Sequence, residues 1–123
     1  MAQAGWEAGD QKQKLDAGKP PWFLFPWDAA IEIVKVLAFG ASKYSARGWE
    51  SGIEYSRVFS ALQRHMVAWW HGEDRDQETG LLHLAHAGCC ILFLLAFTVR
   101  GQTEFDDRPP PCDAPSVIYH KYE

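Results

Sequence analysis

Two apolar helical runs, Arg64 to Trp70 and Leu81 to Leu95, are joined by a loop reading Gly72-Glu73-Asp74-Arg75-Asp76-Gln77-Glu78-Thr79-Gly80. A loop this polar between runs this oily must sit at a helix boundary on the surface, so the chain turns back on itself there. Histidines stand on both flanks: His65 and His71 before it, His83 and His86 after it. Acid and imidazole side chains gathered against an apolar background are where chemistry or ligand capture belongs. The remainder reads as scaffold.

The pattern around this loop is all-α. Asp28 serves as the expected cap of a first helix running to about Tyr44, with Ile31, Val34, Leu37 and Phe39 as its apolar stripe. A second helix starts near Tyr55 or Ser56 and stops at Gly72, with Val58, Leu62, His65 and Trp69 facing inward. Thr79 is the expected cap of a third, which runs to about Arg100 and ends at Gly101. Leu82, His86, Cys89, Phe93 and Ala96 form one stripe of that helix, yet Leu81, Leu84, Leu92 and Leu95 make its other sides apolar too. Such a helix needs cover on more than one side. The expectation is therefore a small bundle of three main helices completed by oligomerisation, a dimer or tetramer formed through the third helix.

Residues 1–18 read as a polar mobile arm, 19–101 as the helical domain and 102–123 as a proline-containing tail. Between arm and first helix, Pro20, Pro21 and Pro26 exclude regular helix while Trp22, Phe23, Phe25 and Trp27 ask for burial, so this segment should lie extended across an apolar groove made by the same chain or a partner. With 123 residues, one domain and a single site are expected. A net charge of −4 removes any general attraction to a nucleic-acid polymer or an anionic membrane. The uncharged run Cys89 to Val99 is too short to span a bilayer, which takes about 20 residues. Three cysteines, two adjacent, make no disulfide framework; with no signal peptide visible, they point to a reducing cytoplasm.

Three uses of the polar residues compete. Glu73 and Asp76, three apart, with Glu32 as a third, would bring negative charges together that call for Mg²⁺, or Mn²⁺, alongside phosphate oxygens; otherwise they are a solvated acidic turn. His83, His86 and Cys90 share a helix face with zinc-type spacing, but no fourth ligand is fixed, so histidines bonded to the loop are favoured. His65, His83 and His86 could also donate to phosphate or base edges. Lys43-Tyr44 and Arg47-Gly48-Trp49 pair cations with aromatic faces suited to a nucleotide, against the plainer use of Trp49 as a core plug.

Several motifs occur in order: Leu15-Asp16-Ala17-Gly18-Lys19-Pro20, Phe39-Gly40-Ala41-Ser42-Lys43-Tyr44, Arg47-Gly48-Trp49-Glu50, Arg64-His65, the acidic loop, His83-Leu84-Ala85-His86-Ala87, and Asp106-Asp107-Arg108-Pro109. Over about Leu15 to Pro109 the chain resembles the phage-associated family described as dATP/dGTP diphosphohydrolase, N-terminal domain. The resemblance implies a MazG-like all-α fold in the cytoplasm of an infected bacterial host. It also implies cleavage of nucleoside triphosphates to monophosphate and pyrophosphate, with Mg²⁺ held by paired helix acids.

Glu73-x-x-Asp76 matches one such pair, but Lys35 follows Glu32 where the other has an acid. The expected function is thus a Mg-dependent purine (deoxy)nucleoside triphosphate pyrophosphohydrolase. Glu73, Asp76 and His65 would be catalytic, and Glu32, Glu73 and Asp76 would be metal ligands. Lys43, Tyr44, Trp49, Arg64, His65, His83 and His86 would bind nucleotide. The alternative is a cofactor-free binding module that sequesters a host defence signalling nucleotide, such as a cyclic dinucleotide or ADP-ribose derivative. A third is a structural helical oligomer.

Overall fold

Pro26 fixes the entry to the first helix, α1 (Trp27–Lys43), in the computed structural model, which describes residues 17–111. The expected arm falls almost wholly outside those residues, as does the tail beyond Pro111. Asp28 is not the expected cap: Pro26 holds that position, and Asp28, the second residue of α1, accepts the N–H of Ala29 at 2.8 Å. A short 3-10 turn, Gly48–Ser51, leads to α2 (Tyr55–Trp70), and α3 (His83–Val99) follows the acidic loop. Among the described residues there is no strand, only an isolated antiparallel bridge between Arg75 and Leu82. The fold is a small all-α bundle of three helices.

α3 is the central element: it packs most extensively on α2 and carries α1 on another side. The α1 approach is close at Gly88, where an added Cβ would stand 2.7 Å from Ile33 Cδ1. Phe97, 1% exposed, anchors the far end of the core. Its ring lies 5.9 Å from that of Tyr55, stacked, and 6.0 Å from that of Trp49, which in turn stacks on Phe93 at 4.5 Å. Aromatic pairs of this kind add about 0.5–1.5 kcal/mol beyond the area they bury.

The stretch after α3 is not a free tail at its start. Phe105 O accepts the N–H of Tyr55 at 3.1 Å, the Tyr55 hydroxyl donates to Gln102 O at 2.7 Å, and Asp107 accepts the N–H of Ser56 at 2.8 Å. Residues 102–107 thus satisfy orphan donors in the first turn of α2. Gly52, at φ 113°, lets Phe105 approach where any Cβ would collide with its ring.

Two further expectations change. The third helix starts at His83 with Leu82 at its cap position, not at Thr79. Residues 73–82 instead fold back as a bonded loop that uses the Thr79 hydroxyl elsewhere. The aromatic segment forms a 3-10 turn at Trp22–Leu24 and is not extended; Trp22, Phe23, Leu24 and Trp27 are exposed. On α3, Leu84, Ile91, Leu92, Leu95 and Val99 are exposed as well. No helix among the described residues is long and apolar enough to cross a membrane.

Candidate functional site

The acidic loop is built on backbone bonds that aim Asp76 inward while Asp74, Arg75, Gln77 and Glu78 stay exposed. Asp76 Oδ1 accepts the N–H groups of Glu78 at 2.8 Å and Thr79 at 2.9 Å, the usual aspartate-turn arrangement. Asp76 N–H donates to Leu81 O at 2.8 Å, and His83 N–H donates to Asp74 O at 2.8 Å. These bonds clamp the loop across the start of α3. With Oδ1 committed, Asp76 Oδ2 is left toward His65, 3.8 Å from its Nδ1.

Three imidazoles meet there. His65 projects from the inward face of α2, while His83 and His86 lie three apart on the first turn of α3, so one side of that helix presents both. The His65 and His86 rings stack at 4.4 Å with planes 5° apart. His65 Nδ1 and His83 Nδ1 face each other at 2.9 Å, and His83 Nε2 donates to Glu73 Oε2 at 2.5 Å. Since that bond fixes the His83 proton on Nε2 in the neutral ring, His83 Nδ1 is the acceptor and His65 Nδ1–H the donor. His86 Nε2 pairs with the Thr79 hydroxyl at 2.7 Å, and the same hydroxyl oxygen accepts Leu81 N–H at 3.2 Å.

The cluster is only partly wet. His83 is buried; His65 and Asp76 are each about one-fifth exposed at the side chain. Burial lowers the pKa of His65, aided by the neighbouring His86 and His83, and burial likewise lowers that of His86 against the opposing pull of Asp76. Glu73 is held below the usual carboxylate range by its bonds to His83 and then Gln77. For Asp76, burial pushes upward, but the Thr79 and Glu78 N–H groups and the His86 and His65 rings outweigh it, and its pKa is lowered.

Of the residues singled out in the sequence, His65, Glu73, Asp76, His83 and His86 converge. Glu32 does not join them: it pairs with Lys35 at 2.8 Å on α1. Lys43 reaches the rim of the loop, 3.8 Å from Glu78, with its ammonium 5.4 Å from the ring of exposed Tyr44. Trp49 is taken up by Phe93 and by Arg100, whose guanidinium lies 5.3 Å from its ring centre. Arg64 lines a separate cavity of about 410 Å³ with Ser56, Ser60 and Cys90.

Among the described residues, the group of three whose donor atoms lie within 4.8 Å of one another is His65, Asp76 and His83. A cage of Glu32, Glu73 and Asp76 does not form, since both Glu73 oxygens are engaged, by His83 and by Gln77 at 2.9 Å. Mg²⁺ takes oxygen ligands, so two imidazoles and one carboxylate do not fit it as the ion held by protein. Cys90 stands apart from the group as well. Thr79 carried no signal as a site residue; its role as the His86 partner depends on the loop folding back. A cavity of about 430 Å³ opens next to the cluster, lined by Val36, Phe39, Tyr44, Trp49, Phe93 and, at its edge, His86.

Comparison with known proteins agrees with the motif resemblance. The profile of the family described as dATP/dGTP diphosphohydrolase, N-terminal, matches residues 9–108. A protein of Salmonella phage PMBT28 named dATP/dGTP diphosphohydrolase is 34% identical over 104 residues, covering 85% of this chain and 35% of its own length. The chain thus spans about a third of that relative. No solved structure matches. The chain belongs to the dATP/dGTP diphosphohydrolase N-terminal family.

Proposed function

We propose that the chain binds a purine (deoxy)nucleoside triphosphate and hydrolyses it between the α and β phosphates. The observation that carries this is the position of His86, which borders both the apolar cavity of about 430 Å³ and the imidazole–carboxylate cluster. A flat apolar base belongs in such a cavity, and phosphates belong against donors at its polar edge. The name of the phage relative, dATP/dGTP diphosphohydrolase, supports the substrate class.

In the proposed reaction a water oxygen bonds to the α phosphorus, the bond from that phosphorus to the α–β bridging oxygen breaks, and pyrophosphate leaves. His86 takes one proton of the water, and Lys43 at the loop rim offsets charge on the phosphate oxygens. Tyr44, exposed beside the cavity, stacks on the base. Glu73 orients His83 and through it His65. The protein assembles into a dimer or tetramer in which the exposed Leu84, Ile91, Leu92 and Leu95 face of α3 is covered.

Incubating purified protein with a nucleotide panel, with and without divalent ions, then denaturing and chromatographing the mixture tests the reaction. Purine monophosphate and pyrophosphate are expected. Intact nucleotide recovered from the protein, with no conversion, overturns hydrolysis.

A further inference from the structure

The apposition of two imidazole Nδ1 atoms at 2.9 Å is the least ordinary feature of the cluster. Two neutral rings meeting this way share a single proton, whereas a metal ion would take a lone pair from each. Asp76 Oδ2 lies 3.8 Å from His65 Nδ1, while Oδ1 is held by two backbone N–H groups and so cannot turn away. All three donors fall within one ion's reach of each other. The outer partner is also present: Glu73 receives the Nε2 proton of His83, the carboxylate–histidine arrangement that fixes a ligating ring with its other nitrogen toward the metal.

We infer that His65 Nδ1, His83 Nδ1 and Asp76 Oδ2 form a binding site for a first-row transition dication, with Glu73 as an outer orienting group and not a ligand. Imidazole–carboxylate sets suit Mn²⁺, Fe²⁺, Co²⁺ or Zn²⁺, and three protein donors leave positions for water or a phosphate oxygen. His83 is buried, so its ring is held in place before any ion arrives. The inference rests on the site proposed above but not on its reaction.

Cobalt(II) titration of chelator-treated full chain, followed by visible absorption and elemental analysis, is the test. One equivalent per chain is expected, with excess Mg²⁺ failing to displace it. Glu73→Gln should weaken binding about 10–100-fold, the range for outer-partner substitutions, while His65→Ala and Asp76→Asn should weaken it further. Paramagnetically shifted imidazole resonances from two histidines in the cobalt-loaded wild-type protein check ligation without any substitution. Absence of saturable cobalt uptake, uptake unchanged in His65→Ala and Asp76→Asn, or no shifted imidazole resonance would each overturn the site. Cobalt binding as expected with no nucleotide converted leaves the metal site standing and overturns the reaction; conversion by protein that takes up no cobalt does the reverse.

Discussion

Phe97 and Cys89 lie on the same helix, and burial has a different consequence for each. Phe97 fills the space between Tyr55 and Trp49. Phe97→Ala should therefore cost about 3–5 kcal/mol in urea unfolding, the usual cost of emptying a buried aromatic position. A cost below 1 kcal/mol would mean the aromatic cluster is not packed as described. Cys89 is buried in the wall of the cavity of about 430 Å³, and burial pushes its thiol up to about 12. Because the thiolate is the reactive form, Cys89 should stay unmodified by iodoacetamide at pH 8 in native protein and react once unfolded. Peptide mass spectrometry distinguishes the two; rapid native labelling would contradict the burial.

At the scale of elements, the stretch after α3 is ordered by Asp106 within itself and tied to α2 by Asp107. Asp106, bonded to Arg108 at 2.8 and 2.6 Å, has its pKa lowered from 3.8 to about 2, and Asp107 is lowered by its bonds to Ser56. A depressed carboxylate stabilises the folded form above its unfolded value and loses that contribution as pH falls through the folded one. Residues 102–108 should thus stay docked at pH 5 and loosen as pH falls below the ordinary aspartate value of 3.8. Hydrogen-exchange protection of the Tyr55 and Ser56 amides reports this directly; protection unchanged down to pH 2 would contradict it. The same stretch shows where sequence periodicity stops being informative. Helices α1 and α2 were legible to within about two residues because their stripes and the stops at Tyr44 and Gly72 are local signals. The α3 start was not, because Thr79 looks like a cap until the Asp76 turn and the Arg75–Leu82 bridge redirect its hydroxyl to His86. Docking of Phe105 on Tyr55 joins residues 50 positions apart, and no local pattern announces it.

At the scale of the whole molecule, the three helices leave a large apolar surface exposed among the described residues. Leu84, Ile91, Leu95 and Val99 recur at helical spacing along one side of α3 and are 48–78% exposed. The proposed oligomer covers this patch, so sedimentation should give a dimer or tetramer, and Leu95→Glu should shift it toward monomer with helical content kept. A wild-type monomer at micromolar concentration would contradict this. The convergence of His65, His83, His86, Glu73 and Asp76 was also legible, since imidazoles at i and i+3 flank one polar loop. The distribution of roles was not: Trp49 turns to Phe93 and Glu73 to His83 through packing against α3, while Glu32 turns to Lys35 within α1 itself.

The central claim is that these imidazoles form one nucleotide site. Imidazole NMR of the full chain, titrated with a non-hydrolysable dGTP analogue, tests it with an internal control. His71 is exposed and bonded to Val67 O at 2.9 Å, away from the cluster. Saturable, concerted shifts of His65, His83 and His86 with His71 unmoved are the predicted result; three unmoved cluster rings, or His71 shifting alongside them, would contradict it.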